Sequence, residues 1–318
     1  MTQPAASAIL AAHGLPRMLA IGGSDSCGGA GIQADIKTGM ALGVEVSTAI
    51  TAITAQNSLG VQKITPVSTA MLAAQIGSVC EDIPPAVIKL GMLVDAARIR
   101  MVIKALRTYT VPNVVCDPVL FSTSGRVLLS EAGRKALFKL LPLVTLLTPN
   151  AEEAALLSGC EVRTPKEYLD AGRILLDHGA SAVLLKGGHM SGEESSDALL
   201  QRDSASPLWF SAPRIETRND HGTGCVLASA IAAGLAQGMT LVEAVGRARD
   251  FVQQALIRSS GFWNGNGRGG MIPFDVGSCS VDVGQPKTAP RVAHQGVAGW
   301  ACSHFCSIRA TFTRSGSQ

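Results

Sequence analysis

Short apolar segments alternate with helical patterns along most of this 318-residue chain. Apolar or β-branched runs begin at Met18, Val44, Ala86, Val114 and Val144, and helical residue spacing follows each of them. Such alternation indicates βαβ units, in which helices connect parallel strands and cover the sheet. The sequence therefore predicts an α/β fold with a central, mostly parallel sheet flanked by helices.

The two ends of the chain differ from this pattern. Residues 1–16 are small and apolar, and residues 275–318 lose periodicity and are rich in Gly, Ser, Pro and Thr. Compositions that offer little to bury do not form a packed core. We expect a disordered N-terminal extension over 1–16, one globular domain over 17–274 and a disordered tail over 275–318.

Charge and hydropathy exclude several classes of partner. The formal net charge is +3, and Lys and Arg are dispersed without a basic run, so we expect no nucleic-acid partner. The apolar runs are too short or too interrupted to cross a bilayer, and the N-terminus lacks the basic region of a signal peptide. We expect a soluble cytoplasmic protein with no membrane partner.

The eight cysteines are scattered and include no Cys-x-x-Cys pair. Reduced cysteines that pack as small hydrophobes fit this distribution best. Cys302 and Cys306 flank a histidine, but no second cluster completes a zinc site, so we expect no metal there.

Two glycine-rich motifs stand where predicted strands lead into helices. The first, Gly22–Gly31, follows the first strand. The second, His221–Cys225, opens into a helix of small apolar residues, so its N–H groups and the helix dipole favour a phosphoryl group. Cys225 falls in the first helical turn, where a thiol pKa is lowered. The structural alternative is a glycine-rich start to a buried helix with a buried cysteine.

Polar residues follow three further strands. Asn150 and Glu153 have the spacing of a helix cap, and the Glu153 carboxylate could also organise Mg²⁺ through water. Lys186 precedes two glycines and could reach a phosphate, and Asp117 would face the same crevice. The alternatives are an ordinary cap, a solvated lysine and a turn-forming aspartate.

Taken in order, seven motifs resemble those of the hydroxymethylpyrimidine/phosphomethylpyrimidine kinases of thiamine biosynthesis. They are Gly23–Thr38, Ala52–Asn57, Lys89–Leu93, Asp117–Val119, Thr148–Asn150, Leu185–His189 and His221–Cys225. The resemblance extends from about residue 18 to residue 273. One departure is the segment 264–273, which lacks the histidine of the family's Gly-His-Gly-x-x-Pro sequence.

The resemblance implies a ribokinase-like three-layer fold, commonly as a homodimer, and the use of ATP and Mg²⁺. It implies phosphorylation of the hydroxymethyl group of 4-amino-5-hydroxymethyl-2-methylpyrimidine and then of the resulting monophosphate. Gln56 matches the family's pyrimidine-binding glutamine, whose amide can pair with an amino group and a ring nitrogen. The other residues implied for that pocket are Gly23, Asp35, Thr54 and Met92.

The resemblance also implies roles on the phosphate side. Cys225 matches the catalytic cysteine, at the position where related sugar kinases carry an aspartate. The residues implied to hold the γ-phosphate are Gly222, Thr223 and Gly224. Those implied to handle the other ATP phosphates are Asp117, Asn150 and Lys186, with Glu153 holding Mg²⁺ through water.

Three alternative functions remain open at this point. A pyridoxal or pyridoxine kinase performs the same reaction on another hydroxymethyl heterocycle, and Gln56 favours the aminopyrimidine. A sugar or nucleoside kinase of the same fold is disfavoured by Cys225. A non-catalytic pyrimidine sensor would be expected to lose the phosphate-handling residues, which this chain retains.

Overall fold

The computed structural model describes the chain in four segments, 14–189, 192–204, 206–261 and 265–273. All of them belong to one compact unit, Met1–Asp275. The predictions made for the tail and for Cys302 and Cys306, and nearly all of those made for the N-terminal extension, fall outside the described residues.

Strands and helices alternate through the described residues. The strands are β1 (Arg17–Asp25), β2 (Glu45–Asn57), β3 (Gly60–Pro66), β4 (Val87–Leu90), β5 (Asn113–Cys116), β6 (Leu146–Leu147), β7 (Ala182–Leu185), β8 (Glu194–Gln201) and β9 (Leu208–Pro213). The helices are α1 (Gly31–Ala41), α2 (Thr69–Asp82), α3 (Ala96–Thr108), α4 (Glu131–Leu137), α5 (Ala151–Ser158), α6 (Pro165–Asp177), α7 (Thr223–Ala236) and α8 (Leu241–Ser259).

The strands form one sheet in the order β3-β2-β1-β4-β5-β6-β7-β8-β9. The six strands from β2 to β7 in that order run parallel. β3 is antiparallel at one edge, and β8 and β9 are antiparallel at the other. The predicted central, mostly parallel sheet is confirmed.

Helices cover both faces of the sheet. Residues of β1 alternate between the faces, as in any strand: Leu19 and Ile21 pack in the core formed with α2 to α6, and Met18 packs in the core formed with α1, α7 and α8. Helix α7 is buried from Val226 to Leu235 because α1, α8 and the sheet surround it. The molecule therefore has three layers, and the start of α7 is fixed by packing on all sides.

Capping residues define several helix starts. The sequence has the Thr-x-x-Glu pattern that predicts a capping box at Thr164 and at Thr240, and both boxes form; Asn150 and Glu153 make a third at the start of α5. In each box the cap side chain accepts an N–H of the first turn, and the glutamate accepts the N–H of the cap residue. The cap at Asn150 fixes both the backbone and the Glu153 side chain at the end of β6.

Two elements differ from the sequence prediction. β3 was not predicted, because it is an exposed edge strand whose polar and apolar residues lack a clear alternation. Helical residue spacing in the sequence predicts a helix from Glu131 to Leu141, but helix α4 ends at Leu137, and a short 3₁₀ turn containing Pro142 begins at Leu141. Among the described residues, no helix is both long and apolar enough to cross a membrane.

Candidate active site

The carboxyl ends of the parallel strands meet at one edge of the sheet. The chain leaves β1 for β2 on one side and later places β4 on the other side of β1, which makes a topological switch point. Crevices at such points are where open α/β sheets bind ligands. Two groups of predicted residues meet there, and the N-terminal turn of α7 lies between them.

The first group surrounds the side chain of Gln56, near the end of β2. The amide of Gln56 has one end 2.9 Å from Nε2 of His221 and its other end 3.4 Å from Oγ1 of Thr54. The Thr54 hydroxyl donates to the carbonyl oxygen of Ser24 at 2.9 Å. Gln56 and Thr54, both predicted pocket residues, are therefore in contact with each other and with the glycine turn after β1.

His221 connects this group to the glycine turn through its ring nitrogens. Its Nε2 also lies 3.3 Å from Oδ2 of Asp25, and its Nδ1 lies 3.1 Å from Oγ1 of Thr123. We call Asp25, Thr54, Gln56 and His221 the glutamine cluster. His221 is the first residue of the second glycine-rich motif and Asp25 lies in the first, but neither side chain was predicted to have a role.

Asp25 is buried and anchors the glycine turn. Its carboxylate accepts backbone N–H groups from Cys27, Gly29 and Ala30 at 2.8 to 3.1 Å. Burial alone would raise the pKa of Asp25, but the bond to His221 and these N–H donors hold it below its usual value. The group is therefore a fixed negative charge beside His221. The sequence could have indicated a role for Asp25, since an aspartate at the end of a strand and inside a glycine-rich motif is placed to bind backbone N–H groups.

Gly23 and Met92 meet on the other side of the pocket. A Cβ added to Gly23 would lie 3.0 Å from Sδ of Met92, so a larger residue there would push the sulfur away from this backbone. Met92 itself is fixed by its carbonyl oxygen, which accepts the Thr51 hydroxyl at 2.6 Å. These two predicted residues lie together as expected.

Asp35, the remaining predicted pocket residue, is fully buried rather than on an open wall. Its carboxylate accepts hydrogen bonds from the amine of Lys89 and from the hydroxyl of Ser229, both at 2.7 Å. Burial raises the pKa of Asp35 against the pull of these donors, and the carboxylate in turn raises the pKa of Lys89 against burial. Lys89 was part of the motif Lys89–Leu93 and was given no role. A lysine inside an apolar strand nevertheless indicates a buried carboxylate partner.

The start of α7 presents free backbone amides. Its N-cap, Gly222, has φ 82°, and a Cβ there would lie 2.0 Å from the carbonyl oxygen of Gly29. Among the described residues no side chain caps this helix, while the Thr223 hydroxyl donates to the carbonyl of Asp220 at 2.5 Å. The turn therefore combines uncapped N–H groups with the positive end of the helix dipole, as an anion site requires.

Cys225 contradicts the prediction of a lowered thiol pKa. Burial raises the pKa of Cys225 to about 11, and neither the charge of Lys89 nor a hydrogen bond from the Gly31 backbone offsets it. The helix terminus would lower the pKa of an accessible thiol, but here desolvation of the thiolate is the larger effect. Its sulfur nevertheless contacts the glycine turn, which joins the two halves of the crevice.

The second group, the lysine cluster, consists of Asp117, Glu153 and Lys186. The Lys186 amine lies 2.7 Å from Oδ1 of Asp117 and 3.8 Å from Oε2 of Glu153. Although burial opposes it, these carboxylates raise the pKa of Lys186, so the amine stays charged. A Cβ on Gly224 would lie 3.2 Å from both the amine and Asp117, so the α7 turn packs directly against this cluster.

Glu153 lacks full charge compensation. Burial raises its pKa to about 7, since Asp117 repels it and Lys186 only partly offsets the cost. Its oxygens accept the N–H of Asn150 at 2.9 Å and of Leu120 at 3.4 Å. A divalent cation reached through water would supply the missing positive charge. In the described segments no three His, Cys, Asp or Glu side chains are grouped to hold a metal directly.

The segment that departs from the family's glycine motif packs over the site. The backbone N–H of Arg268 donates to the carbonyl of Ser58 at 2.9 Å, and Gly270 pairs with His221. A Cβ on Gly270 would lie 2.6 Å from the Cα of Gly29. The segment therefore holds the turn before α7 against the glycine turn after β1, without the histidine usual at this place.

A family model and several known proteins are similar to most of this chain. Residues 25–270 match the family model described as phosphomethylpyrimidine kinase. A hydroxymethylpyrimidine/phosphomethylpyrimidine kinase of Rhizobium meliloti is 45% identical over 258 residues, which are 80% of this chain and 96% of that protein.

Two solved structures are similar as well. The phosphomethylpyrimidine kinase of Clostridium difficile has a TM-score of 0.67 and 36% identity, and the match covers 76% of this chain and 99% of that one. The pyridoxal kinase of Staphylococcus aureus in complex with AMP-PCP and pyridoxal has a TM-score of 0.72 and 31% identity, with coverage of 80% and 92%. The predicted ribokinase-like fold is confirmed, and the chain belongs to the phosphomethylpyrimidine kinase family.

Proposed function

We propose that this protein transfers the γ-phosphate of ATP to the hydroxymethyl group of 4-amino-5-hydroxymethyl-2-methylpyrimidine, and then phosphorylates the monophosphate, in thiamine biosynthesis. The observation that carries the proposal is the position of the α7 turn. His221 at its start contacts Gln56, and Gly224 lies against Lys186 and Asp117. An alcohol bound beside Gln56 would therefore face a phosphate bound beside Lys186.

The pyrimidine would bind at the glutamine cluster. The Gln56 amide offers a donor and an acceptor to the amino group and neighbouring ring nitrogen, while Met92 and Gly23 provide an apolar wall. Asp35 supports this wall from a buried position through its pair with Lys89. The hydroxymethyl group would then point to the α7 turn.

The phosphates would bind across the α7 turn and the lysine cluster. ATP, when bound, supplies the phosphoryl group, and Mg²⁺ neutralises charge on its oxygens. Gly222 and Gly224 offer uncapped amides to the γ-phosphate on either side of Thr223, whose own N–H donates to the Asp220 carbonyl at 3.3 Å, and Lys186 offers a fixed positive charge. Asn150 and Asp117 complete the phosphate side, with Glu153 holding the cation through water. These residues do their work by position and charge.

Cys225 would take the proton of the attacking alcohol. It lies at the junction of the two sides, where the Gly31 N–H reaches its sulfur. The acceptor is the thiolate, a small fraction at neutral pH because burial raises the pKa of Cys225 to about 11, and Lys89 stabilises its negative charge until the alcohol proton neutralises it.

A cytoplasmic location and a homodimer complete the proposal. The five described cysteines are all free thiols, which fits a reducing compartment. The homodimer rests on the family resemblance alone. Sedimentation of the purified protein measures its mass directly.

Pyridoxal is the second candidate acceptor, because the similar Staphylococcus aureus structure holds pyridoxal with AMP-PCP. The test is ATP consumption by purified protein with the aminopyrimidine and with pyridoxal side by side. We expect a higher kcat/KM for the aminopyrimidine. Equal or better turnover of pyridoxal would assign the chain to the vitamin B6 side, and binding of the pyrimidine without turnover would indicate a sensor.

Replacing Gln56 with alanine is expected to raise the KM for the aminopyrimidine by about 10- to 100-fold, because its polar edge loses hydrogen bonds in a desolvated pocket. The kcat should change by less than about threefold, since the phosphate side is untouched. Steady-state kinetics measures both. Gln254→Ala on the outer face of α8 is the matched control and should leave the KM unchanged. A lower kcat with an unchanged KM would contradict the binding role.

A further inference from the structure

We propose that His221, held by Asp25, is a positioning residue that fixes the direction of the Gln56 amide and thereby selects the hydrogen-bond pattern of the substrate edge. The inference deepens the proposed function and rests on it, since Gln56 is taken to face the pyrimidine. A freely rotating glutamine could accept either of two opposite edges. The surroundings of His221 remove that freedom.

The carboxylate of Asp25 determines which ring nitrogen of His221 bears the hydrogen. Nε2 lies 3.3 Å from Oδ2 of Asp25, a buried carboxylate that is already fixed by three backbone N–H donors. A carboxylate only accepts hydrogen bonds, so a lone pair on Nε2 would be repelled by it. Nε2 therefore bears the hydrogen. Nδ1 then accepts the hydroxyl of Thr123, which lies 3.1 Å away.

The hydrogen on His221 in turn determines the direction of the Gln56 amide. A half turn about its Cγ–Cδ bond exchanges oxygen and nitrogen, so the neighbours decide its direction. The structure draws the amide nitrogen 2.9 Å from Nε2 of His221, where its hydrogens would face the Nε2 hydrogen; exchanging the two ends of the amide places the oxygen there instead. The NH₂ end then faces Thr54, whose single hydroxyl hydrogen is committed to the Ser24 carbonyl at 2.9 Å and whose lone pairs are free to accept. Both ends are satisfied in this direction only.

The consequence is a fixed order of acceptor and donor toward the substrate. The oxygen keeps one lone pair and the nitrogen one hydrogen, which together match an exocyclic amino group beside a ring nitrogen acceptor. A 4-oxo analogue presents the opposite order, a carbonyl beside a ring N–H. Because the hydroxymethyl group must point to the α7 turn, the ring cannot turn over to correct the mismatch. His221 therefore sets the preference for the amino form.

The experiment compares the 4-amino and 4-oxo pyrimidines by kcat/KM and by calorimetric Kd. We expect the wild type to prefer the amino form by about 100-fold or more, since the wrong edge leaves buried polar groups unpaired. In His221→Phe only the long 3.4 Å contact with Thr54 still favours one direction of the amide, so the preference should fall below about tenfold. His221→Gln, whose amide N–H would again lie beside Asp25, should restore most of it.

Asp25→Ala gives a second test with the imidazole present. It removes the carboxylate that keeps the hydrogen on Nε2, so either tautomer and either direction of the Gln56 amide become possible, and the preference should again fall below about tenfold. His178→Phe is the matched control, since that ring is exposed and packs on Phe138. Thermal melts establish that each variant is folded.

The possible results distinguish a failure of the role proposed for His221 from a failure of the proposed kinase activity. An equal loss for both pyrimidines in His221→Phe, with the preference intact, would assign His221 a purely structural role and overturn the inference. A wild type that binds both forms equally would overturn it too. If the amino form binds preferentially without phosphate transfer, the proposed activity fails, and the affinity ratios of the variants still decide the role of His221.

Discussion

Cys225→Ala is expected to lower kcat by about 10²- to 10⁴-fold, the usual contribution of a positioned general base. The loss corresponds to about 3 to 5 kcal/mol of transition-state stabilisation. No other described group near the α7 turn is an obvious substitute, because Asp117 is engaged with Lys186 and Asp35 is fully buried with Lys89. Single-turnover measurements with saturating ATP separate this step from product release. The KM for the pyrimidine should change little.

Because the thiol pKa of Cys225 is raised, the activity is expected to increase with pH. A base with a pKa of about 11 is protonated at neutral pH, and its thiolate fraction rises about tenfold with each pH unit below that value. The wild-type kcat/KM should therefore rise with pH through the alkaline range. Cys225→Asp, which supplies the carboxylate of the related sugar kinases, should flatten this rise, because a carboxylate is already deprotonated.

The control for Cys225 is Cys80→Ala, a buried cysteine on α2 away from the site. It removes the same atoms from a core and should leave kcat and its pH dependence unchanged, even if the protein melts at a lower temperature. A loss of less than tenfold in Cys225→Ala would reduce Cys225 to a packing role. An alkaline rise that persists in that variant would assign the titration to another group.

The sequence predicted the layers and the motif positions because local patterns carry that information. Hydrophobic periodicity located the parallel strands, and the capping boxes at Thr164 and Thr240 marked helix starts to the residue. The order of the motifs indicated that Gln56 and Lys186 belong to one crevice, because parallel strands end at a common edge. The edge strand β3 escaped detection, since an exposed strand need not alternate.

Properties that depend on burial and on distant contacts could not be read from the sequence. The expectation of a reactive thiol at Cys225 followed from its place in the helix, but the desolvation that raises its pKa depends on packing against α1 and the sheet. The pair of Asp35 with Lys89 joins residues 54 positions apart. The contact of His221 with Asp25 joins residues 196 positions apart, and no local pattern indicates it.

Lys89→Met is expected to lower the free energy of unfolding by about 3 to 5 kcal/mol, the usual result of removing one partner of a buried ion pair. Lys89 and Asp35 are each fully buried and lie 2.7 Å apart. Methionine fills a similar volume but leaves Asp35 with only the Ser229 hydroxyl, and Oδ2 of Asp35 already has no partner among the described residues. Urea denaturation followed by circular dichroism measures the loss as a lower midpoint at an unchanged slope.

The double variant Lys89→Met with Asp35→Asn separates charge from packing. It removes the uncompensated carboxylate, so we expect it to recover most of the lost stability. Lys135→Met is the matched surface control, because its pair with Glu131 is exposed, and it should change the midpoint little. A double variant no more stable than Lys89→Met alone would show that the cost lies in packing.

The stability deficit of Lys89→Met should also depend on pH, because burial already raises the pKa of Asp35 above its ordinary 3.8. Without Lys89 the folded-state pKa rises further, while the unfolded-state value is unchanged. At pH values below the unfolded pKa the carboxyl is neutral in both states, and the deficit from its charge disappears. The deficit grows as pH rises from the folded pKa of the wild type to the higher folded pKa of the variant, and it is constant above that value. A deficit that is the same in acid and at neutral pH would contradict a charge-based origin.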